Sequence, residues 1–324
     1  MHRKPTSLAY GVLVTVLIVA CILATFTGAV HVPVGEMLHS NIVRLRLARI
    51  ILAVVAGAGL SVGGVIFQAL LRNPLAEPYV LGVSSGAGLG AVVCILLGLS
   101  AFGIWVLPGL AFVGALGTIV LVYALARTAR GGVPVHTLLL SGVIVNAVLG
   151  SILMFIVSVS SADDLHSVVW WLLGNLQISD WRLLEVVSAV VIGGICVTGL
   201  LARDLNVMTL GEEPAAHLGL HVERTKKIFF LVASLMAGAT VAACGLIGFV
   251  GLIVPHGVRL AIGPDHRHLV PATALAGAAF LVIADSVART VIAPLDIPIG
   301  VMTAFLGGPF FLFLLRRRKT SYGN

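Results

Sequence analysis

Apolar stretches of roughly 20 residues, separated by short polar breaks, recur along the whole chain. An α-helix of that length spans the ~30 Å hydrocarbon core of a bilayer. In lipid a helix also satisfies its own backbone, which an open strand cannot do. The pattern predicts ten helical spans, at about 8–30, 47–70, 79–98, 104–126, 135–158, 183–201, 228–247, 248–263, 269–289 and 298–315. The eighth is short and carries Pro255. The first follows Arg3 and Lys4; it is long for a signal peptide, and no small-x-small cleavage site follows it, so it is read as a retained helix. The expected fold class is an all-α polytopic membrane protein with a single transmembrane domain over residues 1–324.

The breaks are as informative as the spans. Span two carries Ala53, Gly57, Gly59, Gly63 and Gly64, and span three Gly82, Gly86 and Gly90. Small residues four apart let helix backbones approach where lipid supplies no hydrophobic drive. Between these spans, RNPLAEP (Arg72 to Pro78) ends one helix and forces a sharp re-entry through its two prolines. The glycines of span three do not make a dinucleotide site, because no strand precedes them. His31 to Leu45 reads as a polar outer segment. A later break carries Asp163, Asp164 and Asp180 together with Trp170, Trp171 and Trp181, placed as an interfacial aromatic belt.

The longest polar interruption runs from Ala202 to Lys227. It predicts two short helices with a break at Gly211. Glu212, Glu213 and Pro214 suit a helix's first turn, where acids meet the positive end of the dipole and proline loses nothing. Ala215, Ala216, Leu218 and Leu220 would give the second helix a small apolar face, and Arg224, Lys226 and Lys227 mark a membrane boundary. From these residues alone the stretch is either a solvated loop or a docking surface.

Composition narrows the class. Apolar residues make up 59% and charged residues 10% of the 324 positions, against about 25% charged in a soluble domain. The net charge of +7 does not point to nucleic acid, because the basic residues fall between apolar runs. Cys21, Cys94, Cys196 and Cys244 all lie inside apolar runs and form no CxxC pair, as expected of small hydrophobes.

Charge also sets an orientation. With both termini inside, all 20 basic residues except Arg44, Arg46, Arg49, Arg182 and Arg289 fall on the inner side, as the positive-inside rule requires. The loop after span six is then cytoplasmic. The outer arginines either snorkel at helix ends or form a docking patch, since a guanidinium fork holds carboxylates bidentately. Docking is favoured for Arg46 and Arg49. Arg289 stays undecided, because Asp285 lies one turn before it.

Motifs of catalysis are missing. There is no GxxxxGK[ST] loop or HExxH. Asp285 is the one acid well inside a predicted span, which argues against an ion-coupled carrier with ionisable groups near the midplane. The loop histidines, His217, His221, His256, His266 and His268 among them, lack a paired ligand set and read as solvated. An ion-coupled secondary transporter and a membrane scaffold or sensor stay open as other classes.

Several stretches together resemble the FecCD-type permeases, the membrane subunits of type II ABC importers for iron-siderophores, haem and vitamin B12. They are RLAR (Arg46 to Arg49), the run from Gly63 to Gly88 containing FQALLRNPLAEPYVLGVSSGAG, LLLSG (Leu138 to Gly142), the segment from Leu210 to Leu220, the run from Gly245 to His256, and PIGVMTAFLGGPFF (Pro298 to Phe311). Ala48 stands where that family usually has proline. The resemblance implies ten helices per subunit, a homodimer around a central pathway, two cytoplasmic ATPase subunits, a periplasmic or lipoprotein binding protein, no cofactor, and no catalysis by this chain. It further implies that Gly211, Glu212, Ala215, Ala216, Leu218, Gly219 and Leu220, in the loop 203–225, form the ATPase-coupling helices. Arg46, Arg49 and Arg289 would meet acidic side chains of the binding protein. Val135 and His136 would stand at the inner gate, with spans five and ten lining the pathway. The expected cargo is a metal chelate, either an iron-siderophore or haem, with cobalamin as the alternative. The expected location is the inner (cytoplasmic) membrane.

Overall fold

The computed structural model describes residues 6–28, 40–128, 132–178 and 180–321, the side chains of Thr6, Asp163 and of 311–321 excepted. Among these the elements are helical: α1 (Thr6–Phe26), α2 (Asn41–Leu70), α3 (Val83–Leu96), α4 (Val106–Ala126), α5 (Val135–Ser158), α6 (Ala162–Leu172), α7 (Trp181–Leu200), α8 (Ala202–Met208), α9 (Glu212–His217), α10 (Val222–Cys244), α11 (Val250–Ile262), α12 (His266–Ala288) and α13 (Ile299–Ser321). Seven of the described helices, α1, α2, α4, α5, α7, α10 and α12, are long and apolar enough to cross a membrane; α3, α11 and the stretch Ile299–Phe310 of α13 are apolar but shorter. Every predicted span therefore carries a helix, yet not every one has the length to cross unaided.

Three boundaries differ from expectation for local reasons. Helix α2 begins at Asn41, before the predicted 47, so Arg44 and Arg46 join Arg49 on the helix itself. Their aliphatic stems can lie along it while the guanidinium heads find partners on other helices. The third span is not one helix: a 3-10 turn over Pro78–Leu81 ends at Gly82, whose φ of 84° is left-handed, and α3 starts after it. The tryptophan-bearing break is itself helical as α6, capped by Ser161, whose side chain accepts from Asp164 N at 3.3 Å. The predicted outer segment from His31 lies largely outside the described residues.

Helix α2 is the core. It is buried along almost its whole length and packs against α12, α10, α11 and α7. Close approach explains its glycines. A Cβ on Gly57 would collide with the Gly277 carbonyl on α12, and one on Gly64 with the Gly251 carbonyl on α11. The proline in α11 is absorbed the same way. Pro255 cannot donate to Gly251 O, and Gln68 on α2 supplies the missing donor, with Nε2 at 3.2 Å from that carbonyl. The non-helical stretch between α10 and α11 is likewise paired inside the protein: Ile247 N donates to Tyr79 Oη at 3.0 Å, and Asn175 N to Cys244 O at 2.7 Å. By contrast α5 leaves most of its surface uncovered, with Leu140, Val143, Ile144, Met154 and Phe155 exposed.

Candidate functional site

Helices α8 and α9 form a knuckle at one end of the bundle. Gly211 separates them with φ 117°, a conformation that side-chain-bearing residues rarely adopt. Glu212 and Glu213 occupy the first turn of α9, over its positive dipole end. The expected single apolar face is divided in two. Ala215 is fully buried and Leu220 half-buried, whereas Ala216, Leu218 and Gly219 face out. The reason is length. The helix stops at His217, and the turn through Gly219 (φ 85°) sends Leu218 outward before the chain enters α10. Leu218 is 66% exposed and Leu210 59% exposed, so the knuckle presents two uncovered leucines beside Ala216.

The knuckle is fastened on both sides. On one side Asn206 of α8 donates from Nδ2 to Asp265 Oδ1 at 2.8 Å, and its Oδ1 accepts from His266 N at 2.9 Å. Asp265 caps α12. The Arg267 side chain, helped by Asn206, holds its carboxyl well below the ordinary carboxylate range. On the other side Lys226 of α10 pairs with Glu212 at 3.1 Å. The predicted gate turn is close by. Val135 is buried at the start of α5 and His136 is exposed. Lys226, expected only to mark a membrane boundary, is a buried member of this region. No sequence period flags a lysine that the fold turns inward.

The opposite end holds the predicted docking arginines. Arg49 Nε donates to Asp285 Oδ1 at 2.9 Å, and its Nη1 to Asp296 Oδ2 at 2.9 Å. Arg289 Nε stands 2.9 Å from Asp285 Oδ2. Arg289 also reaches the Thr27 and Ala24 carbonyls at 3.2 and 3.4 Å, and Arg46 the Thr25 carbonyl at 3.1 Å. These carbonyls close the C-terminal end of α1, where the dipole favours cations. Arg46, Arg289 and Asp285 are buried, whereas the Asp296 side chain is 36% exposed. The structure thus brings Arg46, Arg49 and Arg289 together, but Arg49 and Arg289 bind acids of the same chain and Arg46 reaches a carbonyl of α1. Of those, Asp285 was anticipated as a partner for Arg289 and Asp296 was not. Arg44, grouped with the outer cluster, is exposed and lies over the Trp181 ring, 5.8 Å from its centroid.

Comparison with known proteins places this arrangement. The model of the FecCD transport family matches residues 16–317. The chain is 48% identical over 275 residues to the cobalamin import system permease protein of Halobacterium salinarum, covering 85% of this chain and 73% of that one. It is 41% identical over 285 residues to the hemin transport system permease protein of Yersinia pestis, covering 85% and 83%. A solved inward-facing conformation of a metal-chelate type ABC transporter superposes with a TM-score of 0.87 at 28% identity, over 96% of this chain and 99% of that chain.

Proposed function

Because the chain belongs to the FecCD transport family, we propose that it is the membrane-spanning permease subunit of an ATP-binding-cassette importer for a metal chelate. ATP hydrolysis then occurs in a separate subunit, and this chain supplies the pathway and the lever. The observation that carries the reading is the α8–α9 knuckle, an anchored helix pair with exposed Leu210, Ala216 and Leu218, on the end that bears most of the basic residues. Such a surface suits the cleft of a cytoplasmic protein partner, and a set of anchors gives a push on it something to act against.

In this reading the complex holds two copies of the chain, two cytoplasmic ATPase subunits and a substrate-binding protein outside, in the inner membrane with both termini cytoplasmic. The ten apolar helices all belong to the membrane domain. The short ones, α3, α11 and α13, are supported by their neighbours. The uncovered faces of α5 and α13, with Phe305 exposed on the latter, would line the pathway between the copies. Gly211, Glu212, Ala215, Ala216, Leu218, Gly219 and Leu220 form the coupling segment, with Ala216 and Leu218 making contact and Ala215 packing behind. Val135 and His136 stand at the inner gate.

Docking at the far end is then an exchange. Arg49 already holds a buried acid and a half-exposed one, so an acidic side chain of the binding protein would take the place of Asp296 while Asp285 keeps Arg49 and Arg289 oriented. The relatives named for hemin and cobalamin transport support a metal-chelate cargo. Both of those cargoes are bulky, metal-centred macrocycles, and haem or an iron-siderophore is the first expectation. Cobalamin is the second reading, favoured by the 48% identity to the cobalamin permease.

The test is Ala216→Trp in the reconstituted complex. It is expected to leave the permease folded, because Ala216 is exposed, and to lower uptake per ATP hydrolysed at least fivefold. Unchanged uptake, or uptake that follows an ion gradient and ignores ATP, would overturn the proposal. Ala215→Trp is a poorer probe, because that site is fully buried and overpacking alone would disturb the fold.

A further inference from the structure

The fastening of α9 extends to the gate. Lys226 lies in the second turn of α10, and its ammonium group has three N–H donors and no acceptor. The structure gives it three partners from three elements. Nζ lies 3.1 Å from Glu212 Oε2 on α9, pairs with Glu223 Oε1 in the first turn of α10, and donates to the Val133 carbonyl at 3.0 Å. Val133 is buried and stands two residues before Val135, where α5 begins. Pro134, between them, has a fixed φ of −64° and makes the connection stiff.

This arrangement differs from a surface ion pair, which can break at little cost. The ammonium is buried, so an arm cannot part without leaving a desolvated charge short of a partner. If α9 is displaced, the low-energy response is for the Val133 carbonyl to travel with it. We propose that Lys226 is a strut that passes displacement of α9 to the first turn of α5, and so joins the coupling segment to the gate within one subunit. The inference rests on the proposed role of α9, so the experiment must separate the two.

The measurement is pulsed electron resonance on the purified permease–ATPase complex, with Cys21, Cys94, Cys196 and Cys244 replaced by alanine. Nitroxides are placed at Leu8→Cys on α1 as reference, with either Glu213→Cys on α9 or His136→Cys on α5, all exposed positions. Addition of ATP and vanadate is expected to shift both the 8–213 and the 8–136 distances. In Lys226→Gln the 8–213 shift should persist, while the 8–136 shift falls by more than half. An 8–136 shift that is the same with and without Lys226 overturns the strut and leaves the role of α9 standing. Absence of an 8–213 shift with Lys226 present overturns the role of α9, and the strut falls with it. Should Lys226→Gln fail to assemble, Glu212→Ala removes only the arm to α9. Loss of the 8–136 shift there supports the strut, and its retention refutes it.

Discussion

At the residue scale the decisive feature is how few charges are buried among the described residues, and that Asp285, Arg289 and Lys226 each meet more than one partner. Asp285 is 1% exposed and serves both Arg49 and Arg289. Removing its charge takes the carboxylate from buried Arg289 and leaves Arg49 with Asp296 alone, a change worth about 3–5 kcal/mol. Asp285→Asn should therefore lower the thermal midpoint of the permease in detergent sharply. Asp296→Asn, at a half-exposed acid, should change stability by no more than about 1 kcal/mol. Under the exchange proposed for docking it should also tighten binding of the substrate-binding protein, which a surface-binding measurement would register. Weaker binding after Asp296→Asn would count against that exchange. The sequence placed Asp285 one turn from Arg289, so half of this cluster was legible. Arg49–Asp296 joins residues 247 apart and was not, because no local period reports a contact between segments so distant in sequence.

At the element scale close backbone approach at glycines lets α2 sit against its neighbours. The glycines of α2 admit the backbones of α11 and α12, and Gln68 repairs the hydrogen bond that Pro255 removes. Gln68→Leu should leave the Gly251 carbonyl without its side-chain donor and cost about 1–3 kcal/mol. Faster hydrogen exchange in α11, with α5 unaffected, is the expected signature. Small-residue spacing and the lone Pro255 were visible in the sequence. That the first accommodates α11 and Gln68 corrects the second required the two helices side by side. The α8–α9 pair was legible in outline, since Gly211 and the acids after it mark a break and a helix start. Its outward face was not, because six residues are too few for periodicity to choose a side.

At the scale of the whole molecule the two ends differ in kind. Arg44, Arg46, Arg49, Arg182 and Arg289 share the end away from the α8–α9 knuckle, and the other described basic residues of the loops lie at or near the knuckle end. This asymmetry supports the proposed orientation. Glu213→Cys should react with a membrane-impermeant maleimide only in inverted vesicles, whereas Arg44→Cys should react in intact spheroplasts. Labelling of Glu213→Cys from outside would remove the basis for an ATPase lever on α9.

The class, the break at Gly211 and the family are legible in the linear sequence, because burial in lipid demands long apolar runs and these are written along the chain. Only the folded helices reveal which face of α9 is free, that Arg49 turns inward to Asp285 and Asp296 far along the chain, and that Lys226 is buried against Glu212 and the Val133 carbonyl. Charge pairing across a bundle depends on distance in space, and a one-dimensional pattern carries no record of that distance.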